Sequence, residues 1–574
     1  MKLISTRRIL KSLSLLTIAI MMPAFLTQIN AQDKVANQTA RKNIMLETVD
    51  DQYVPSPRES HATSPAYRYF ISGFSVVQVN VDNEGNNIVN DAANEPSIAF
   101  DRNDPNKIAI GWRQFDDISN NFRQAGYGYS DDAGLTWIFP EVIDPGVFRS
   151  DPVLGSDGEG NFYYNSLTTD LVNSYWCNVY KSEDGGSSWE MGTYAQGGDK
   201  QWMSVDRSGG IGSGNLYAFW NYAFSICPPH NFTRSTDGNI SYEDCSTIPD
   251  DPYWGITFVG PQHELYVCGA SWNGFMIAKS SNAQNADEAV SWDFTTTVFL
   301  DGQITNGGTP NPGGLQGQTI ITMDSTGGPG NGYLYLLCSV DRGFDPCDVM
   351  FSRSTDGGLT WDIPIRVNDD PGINAWQWFG TMSVAPDGRI DVIWLDTRDN
   401  ASPYYSALYY SYSLDQGLTW TQNVKLSETF NSHLGWPQQN KMGDYYDMYS
   451  DEAGAHLAWA ATFNGEQDVY YSVITPSYVG IAEKGRGSFV SLLENFPNPF
   501  KDQTTIRYNL LHKGVISLKV YTLDGKEVTT VLQESQEAGL HQSIFNSNGL
   551  ESGVYYYRLQ CGDSYETRRL VLLK

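Results

Sequence analysis

Ser413-Leu414-Asp415-Gln416-Gly417-Leu418-Thr419-Trp420 is the stretch that decides the fold, because its pattern Ser-x-Asp-x-Gly-x-Thr/Ser-Trp recurs. It returns at Ser130–Trp137 (Asp132, Trp137), at Ser182–Trp189 (Asp184, Trp189) and at Ser354–Trp361 (Asp356, Trp361). A degenerate copy runs Ser235, Asp237, Ser241, Tyr242, and a stretched one runs Ser280, Asn282, Ser291, Trp292. The Asp can accept hydrogen bonds from turn amides, and the Gly supplies a conformation other residues avoid. The Trp can pack its large face between neighbouring sheets. The motif therefore reads as a structural staple.

Working outward, each copy follows a β-rich run, with two more strands upstream and a fourth after the Trp. Units begin near Pro96, Pro152, Met203, Ile256, Thr319, Thr381 and Tyr446. Four meandering strands per unit make the blade of a β-propeller. The expected fold class is all-β: a seven-bladed β-propeller, with six blades as the competing count, followed by a small C-terminal β-sandwich. Phe74–Val81 is expected to close the ring as the missing outer strand of the seventh unit.

The four near-perfect boxes resemble the Asp-box, or BNR, repeats of the sialidase superfamily, over roughly residues 72–476. The resemblance implies a late-lying Tyr nucleophile, for which Tyr445 or Tyr446 is the positional candidate. A free Tyr titrates near ~10, so an acidic neighbour, Asp444, would draw off its proton. The sequence departs from the family at the first inner strand: Asn94-Glu95-Pro96-Ser97-Ile98 carries no Arg. Arg113, Arg342 and Arg398 are candidates for a substrate-gripping triad. The alternative reading makes Arg342 and Arg398 partners of nearby carboxylates. First-strand starts and second-strand ends on the face opposite the staples add Glu95, Asp151, Lys200 and Trp378 as substrate-binding candidates. Arg forks, carboxylates and aromatic faces together suit a glycan. Two functions follow: a binding module for extracellular glycans or glycoproteins, or an exo-acting glycoside hydrolase of sialidase type.

The chain ends differ in style from this middle. Lys2, Arg7, Arg8 and Lys11 precede the apolar run Leu13–Leu26 and the small-residue ending Ile29-Asn30-Ala31. Residues 1–31 thus read as a secretory signal peptide, and 32–71 as a polar linker. From 494 the sequence alternates at period two after Asn495-Phe496-Pro497-Asn498-Pro499-Phe500, and includes Ser552-Gly553-Val554-Tyr555-Tyr556-Tyr557-Arg558-Leu559. Residues 477–493 read as a linker. The 494–574 segment resembles the type A C-terminal sorting domain of the Bacteroidetes type IX secretion system. That resemblance implies the type IX machinery as partner, passage across the outer membrane, tail removal, and a secreted or surface-attached product.

Composition narrows the partners. The 574 residues carry 37 Lys+Arg against 66 Asp+Glu, a formal charge of −29. Four positive charges and no acids lie in residues 1–31, so the charge falls to −33 on their loss. Such a field repels nucleic acid and anionic membranes. No transmembrane segment is expected in the mature chain. No cofactor or metal-ligand spacing stands out; acidic turns such as Asp157-Gly158-Glu159 leave structural calcium open. Of seven Cys, Cys338–Cys347 and Cys227–Cys245 are candidate bridges. Cys177, Cys268 and Cys561 remain, and the odd count requires at least one unpaired within the chain.

Overall fold

In the computed structural model the four near-perfect copies of the repeated stretch and the degenerate one at Asp237 close into the same turn. The model describes residues 51–170, 174–476, 490–510, 513–522, 526–547, 549–561 and 564–573. The signal-peptide reading of 1–31 lies outside them, as does most of the 477–493 linker. At the 413 copy, Ser413 Oγ donates to Asp415 Oδ1 (2.9 Å) and accepts from Gly417 N (2.9 Å). Thr419 N and Oγ1 donate to the two Asp415 oxygens at 2.9 and 2.6 Å. The same bonds form around Asp132, Asp184 and Asp356. The degenerate copy at Asp237 keeps them. The Thr360 hydroxyl and amide hold the Asp356 carboxyl down at about 2.

The tryptophans reach backward. Trp137 meets Tyr471, Trp189 meets Tyr127, Trp292 meets Phe232 and Trp420 meets Phe351, with ring centroids 5.4, 5.9, 5.5 and 5.1 Å apart. Each therefore packs on an aromatic of the preceding sheet. These contacts tie a local turn to the stacking of sheets.

Seven antiparallel meanders follow one another, and five of them carry the matching turn. Their first strands are Ala92–Phe100, Ser150–Ser156, Trp202–Val205, Thr257–Val259, Ile320–Met323, Gln377–Val384 and Asp447–Ser450. Each first strand touches the first strand of the next sheet, and the seventh touches the first. Side chains stitch these junctions: Ser97 Oγ accepts from Leu154 N (2.9 Å) and donates to Asp447 Oδ2 (2.7 Å). In the seventh sheet the order runs 447–450, 455–461, 468–474, then Phe74–Gln78 and Arg68–Ile71. Val79 N donates to Val469 O (2.9 Å) and Asn80 Nδ2 to Asp468 Oδ1 (2.9 Å). The N-terminal strand thus supplies the outer strand that the seventh meander lacks. Among the described residues there is no α-helix, and no helix is long and apolar enough to cross a membrane.

Two compact units result: one holds residues up to Tyr67 with Val77–Ser472, the other Arg68–Val76 with Val473 onward. The second unit contains a three-stranded sheet (490–496, 503–510, 539–546) and a four-stranded one (514–521, 527–536, 553–561, 564–572). Leu492, Phe500, Ile506, Tyr508, Leu518 and Tyr557 are among its buried core. Its first strand starts at Val490, inside the stretch expected as linker. Residues 51–67, also expected as linker, are docked: Arg58 stacks 3.4 Å over Phe139, and Thr63–Pro65 pairs with Asn86–Ile88.

Cys227 and Cys245 are bridged. Cys338 and Cys347 are not, which corrects the expectation of a second disulfide. The strand register sets Cys338 opposite Met350 and Val340 opposite Asp348, so Cys347 lies three positions out of step. At ~3.3 Å per residue that offset is too large for a disulfide's geometry. Their Sγ atoms instead donate to Ser339 O and Gln377 O. Cys177, Cys268 and Cys561 are also unbridged.

Candidate functional site

The first strands do not begin smoothly. Their pairing slips between Asn94 and Ser97, between Ser150 and Val153 and between Trp378 and Thr381. Glu95, Asp151, Lys200, Asp251 and Phe379 adopt positive φ of 51°, 47°, 55°, 50° and 56°. Bulges of this kind re-aim a side chain, and a non-glycine in this region costs of order 1–3 kcal/mol.

The bulges bring charge together. Arg113 Nε lies 3.1 Å from Glu95 Oε2, and Lys441 Nζ lies 3.3 Å from Glu95 Oε1. Lys441 Nζ is 2.9 Å from Asp444 Oδ2, and Lys200 Nζ is 2.6 Å from the same oxygen. Lys200 also faces Asp151 at 3.4 Å and Asp199 at 3.9 Å. Four sheets thus contribute three cations and four carboxylates to one network. Glu95, Arg113, Asp151, Asp199 and Asp444 are fully buried, with Lys200 at 2 % and Lys441 at 7 % exposure.

A hairpin packs on the Lys441–Asp444 end of this network. The hairpin formed by Asn306–Gly308 and Asn311–Leu315 is bonded to the 432–444 segment. Gly313 N donates to Asn440 O (2.7 Å), Met442 N to Asn311 Oδ1 (2.8 Å) and Leu315 N to Asp444 Oδ1 (2.7 Å).

Burial drives Glu95 up to about 8, against the pull of Arg113 and Lys441. Burial also opposes ionisation of Asp444, but Lys200 and Lys441 outweigh it and hold that carboxyl far below its usual range. The folded state therefore takes up a proton at Glu95 that the unfolded chain has released between its ordinary 4.5 and about 8. Stability from this group is full below pH 4.5 and is lost as pH rises toward 8. Glu95→Gln is expected to flatten that decline in denaturant midpoints measured from pH 5 to 8. An unchanged slope would refute it.

The tyrosines are turned to the backbone. Tyr445 Oη donates to Pro152 O (2.7 Å) and Tyr446 Oη to Ala460 O (2.5 Å). Both are buried, and burial raises both hydroxyl pKa values well above 10. Trp378 is buried too, its Nε1 donating to Ser406 Oγ at 3.1 Å. Arg342 and Arg398 do not join Arg113. Arg342 pairs with Asp301 (2.5 Å) and Asp348 (2.9 Å). Arg398 pairs with Asp369 (2.6 Å) and Asp396 (2.8 Å). The three partner sets are disjoint, so the structure assembles no arginine triad from them. Asp199 is not among the residues the sequence singles out, although it directly precedes the candidate Lys200 at a first-strand start.

A second concavity lies beside the 116–122 loop, about 320 Å³ in volume and lined by Tyr53, Asp116, Asp117, Asn120 and Phe122. Tyr53 and Phe122 rings sit 5.3 Å apart. Gln124 Nε2 holds Asp116, and Asn120 Nδ2 donates to Gln52 O. Two aromatic rings, two carboxylates and an amide therefore line this concavity. Sequence reading had placed Tyr53 in a linker and so could not find it. Among the described residues no group of three or more His, Cys, Asp or Glu is arranged to hold a metal ion. The Asp157 carboxylate accepts from Glu159 N, Asn161 N and Tyr163 Oη.

Residues 494–573 match the family model of the secretion system C-terminal sorting domain. The chain is exported to the cell surface. The sorting domain implies engagement with the type IX machinery. Comparison with curated proteins gives no match. Among solved structures, a protein of unknown function from Dyadobacter fermentans is similar at 13 % identity, covering 71 % of this chain and 100 % of its own, with a TM-score of 0.42. PorZ, a surface component of the type IX secretion system of Porphyromonas gingivalis, is similar at 12 % identity, 83 % and 59 % coverage and a TM-score of 0.34. A Hadza microbial sialidase is similar at 12 % identity, 65 % and 78 % coverage and a TM-score of 0.35.

Proposed function

We propose that the exported chain is a seven-bladed Asp-box β-propeller that binds extracellular glycans or glycoproteins without hydrolysing them. One observation carries the non-catalytic part: the residues sialidase-type chemistry would use are sealed. Tyr445 and Tyr446 donate their hydroxyl hydrogens to backbone carbonyls, Glu95 and Arg113 are buried against each other, and Asp444 is held by Lys200, Lys441 and the Leu315 amide of the 306–315 hairpin. The cyclic contact of the seven first strands and the five matching turns support the propeller. The Tyr53 pocket, lined by two aromatic rings, two carboxylates and an amide, is the assigned sugar contact.

The full chain is expected to retain ligands on a glycan array and to leave a fluorogenic sialoside intact. Tyr53→Ala should weaken glycan binding about tenfold or more, the loss expected for one stacking contact plus its buried area. Sialoside turnover, or array binding unchanged in Tyr53→Ala, would overturn this assignment. A second reading, an exo-acting glycoside hydrolase, has one observation in its favour. Glu95 and Asp444 are buried carboxylates whose proton affinities are pushed apart, as an acid and a base require. Under that reading Glu95→Gln abolishes turnover of the sialoside.

A further inference from the structure

The first strands surround a cavity of about 520 Å³. It is lined by the whole of Trp202–Val205 and Ile320–Met323, by Tyr446–Tyr449, and on the first sheet by Ile98, Phe100 and Arg102. Glu95, Asp151, Lys200 and Asp444, at the starts of the same strands, do not line it. The cavity is therefore distinct from the buried ionic network. Its wall carries Met203, Met323, Met382 and Met448 beside Phe258 and Ile321. Four flexible thioethers give an apolar surface that adapts to the shape of what lies against it.

Where the strands pass into their first turns, two guanidinium groups stand at this cavity, Arg102 and Arg207. Arg207 Nε donates to Ser156 O at 2.7 Å, and Arg102 lies 5.6 Å over the Tyr449 ring. Among the described residues no carboxylate lies within ion-pair distance of either group. The nearby acids are already engaged. Asp447 accepts from Ser97 Oγ and Ile98 N, Asp206 from Ser208, and Asp157 from its own turn. Desolvation and the neighbouring Arg102 together lower Arg207 to about 10. Asp447, on the same wall, and Asp157 act on Arg207 from beyond ion-pair distance, so among the described residues neither guanidinium has a directly paired carboxylate in a chain of formal charge −29. An anion between them would relieve the repulsion and gain charge-assisted hydrogen bonds.

We propose that the cavity binds an anionic amphiphile, with a carboxylate seated between Arg102 and Arg207 and a hydrocarbon tail along the methionine-lined wall. The volume is that of an ordinary small-ligand site. The guanidinium pair selects the charged end, and the adaptable wall accepts the tail.

Calorimetric titration of the full chain with octanoate, octanol and acetate tests both halves. Octanoate is expected to bind at one equivalent, and octanol and acetate each about tenfold or more weaker. Arg207→Gln and Arg102→Glu should each weaken octanoate by a similar factor and leave octanol unchanged. Arg102 sits on an exposed turn, so its variant keeps the test valid if Arg207→Gln misfolds. Acetate binding as tightly as octanoate would overturn the tail assignment. Octanoate affinity unchanged in Arg102→Glu, or no octanoate binding at millimolar concentration, would overturn the proposal.

Discussion

Lys200→Met is expected to lower the free energy of unfolding by about 3–5 kcal/mol, the cost of breaking a buried charge pair on one side. The Lys200 ammonium lies 2.6 Å from Asp444, 3.4 Å from Asp151 and 3.9 Å from Asp199. Methionine keeps the length and most of the packing, so the loss reports the charge. It leaves Asp151 and Asp199 buried without that cation, and Asp444 with Lys441 nearby. All 16 Trp lie between residues 112 and 459. Tryptophan fluorescence in guanidinium titration therefore follows the first unit and not the C-terminal one. Lys425→Met is the control: the Lys425–Asp399 pair is over a third exposed on both sides, and its loss should cost only about 0–1 kcal/mol. Equal losses for the two variants would show that the buried network contributes no more than a surface pair.

Gly417→Ala is expected to cost about 2–5 kcal/mol, made of a left-handed backbone penalty of about 1–2 and overpacking of about 1–3. Gly417 has φ +79°, and a Cβ there would fall on the Phe351 ring, the same ring that Trp420 meets. Gly465→Ala separates the two contributions. Gly465 has φ +88° with open space around its missing Cβ, so only the backbone penalty of about 1–2 kcal/mol should appear. If both variants lose the same stability, the close approach of the turn to the preceding sheet is not what the glycine serves.

The two experiments bracket what the chain's text can carry. Gly417 is readable because the turn is a local object: Ser413, Asp415, Gly417 and Thr419 satisfy one another within eight residues. Hence the repeated turns, the meandering strands and the first-strand positions were all legible, and so was the sorting tail, whose alternation and Pro-Asn-Pro-Phe opening are contiguous. The strand Phe74–Gln78 was legible by elimination, because the seventh meander lacked an outer partner. Lys200 is different. Its identity as a strand-start residue could be read, but its partners Asp151 and Asp444 sit on other sheets. Arg342 and Arg398 resembled Arg113 in strand position, yet their carboxylates are on their own or adjoining turns.

The sequence alone therefore determined the repeating unit, the all-β class and the exported tail, since each depends on bonds between near neighbours. Tertiary structure alone decided that Cys338 and Cys347 are out of register, that Tyr445 and Tyr446 are spent on carbonyls, and that Glu95, Arg113, Lys200, Lys441 and Asp444 form a buried network. Those outcomes depend on strand register and on which loop packs on a strand end. Both are set by packing between residues far apart in the chain, where local pattern carries no information.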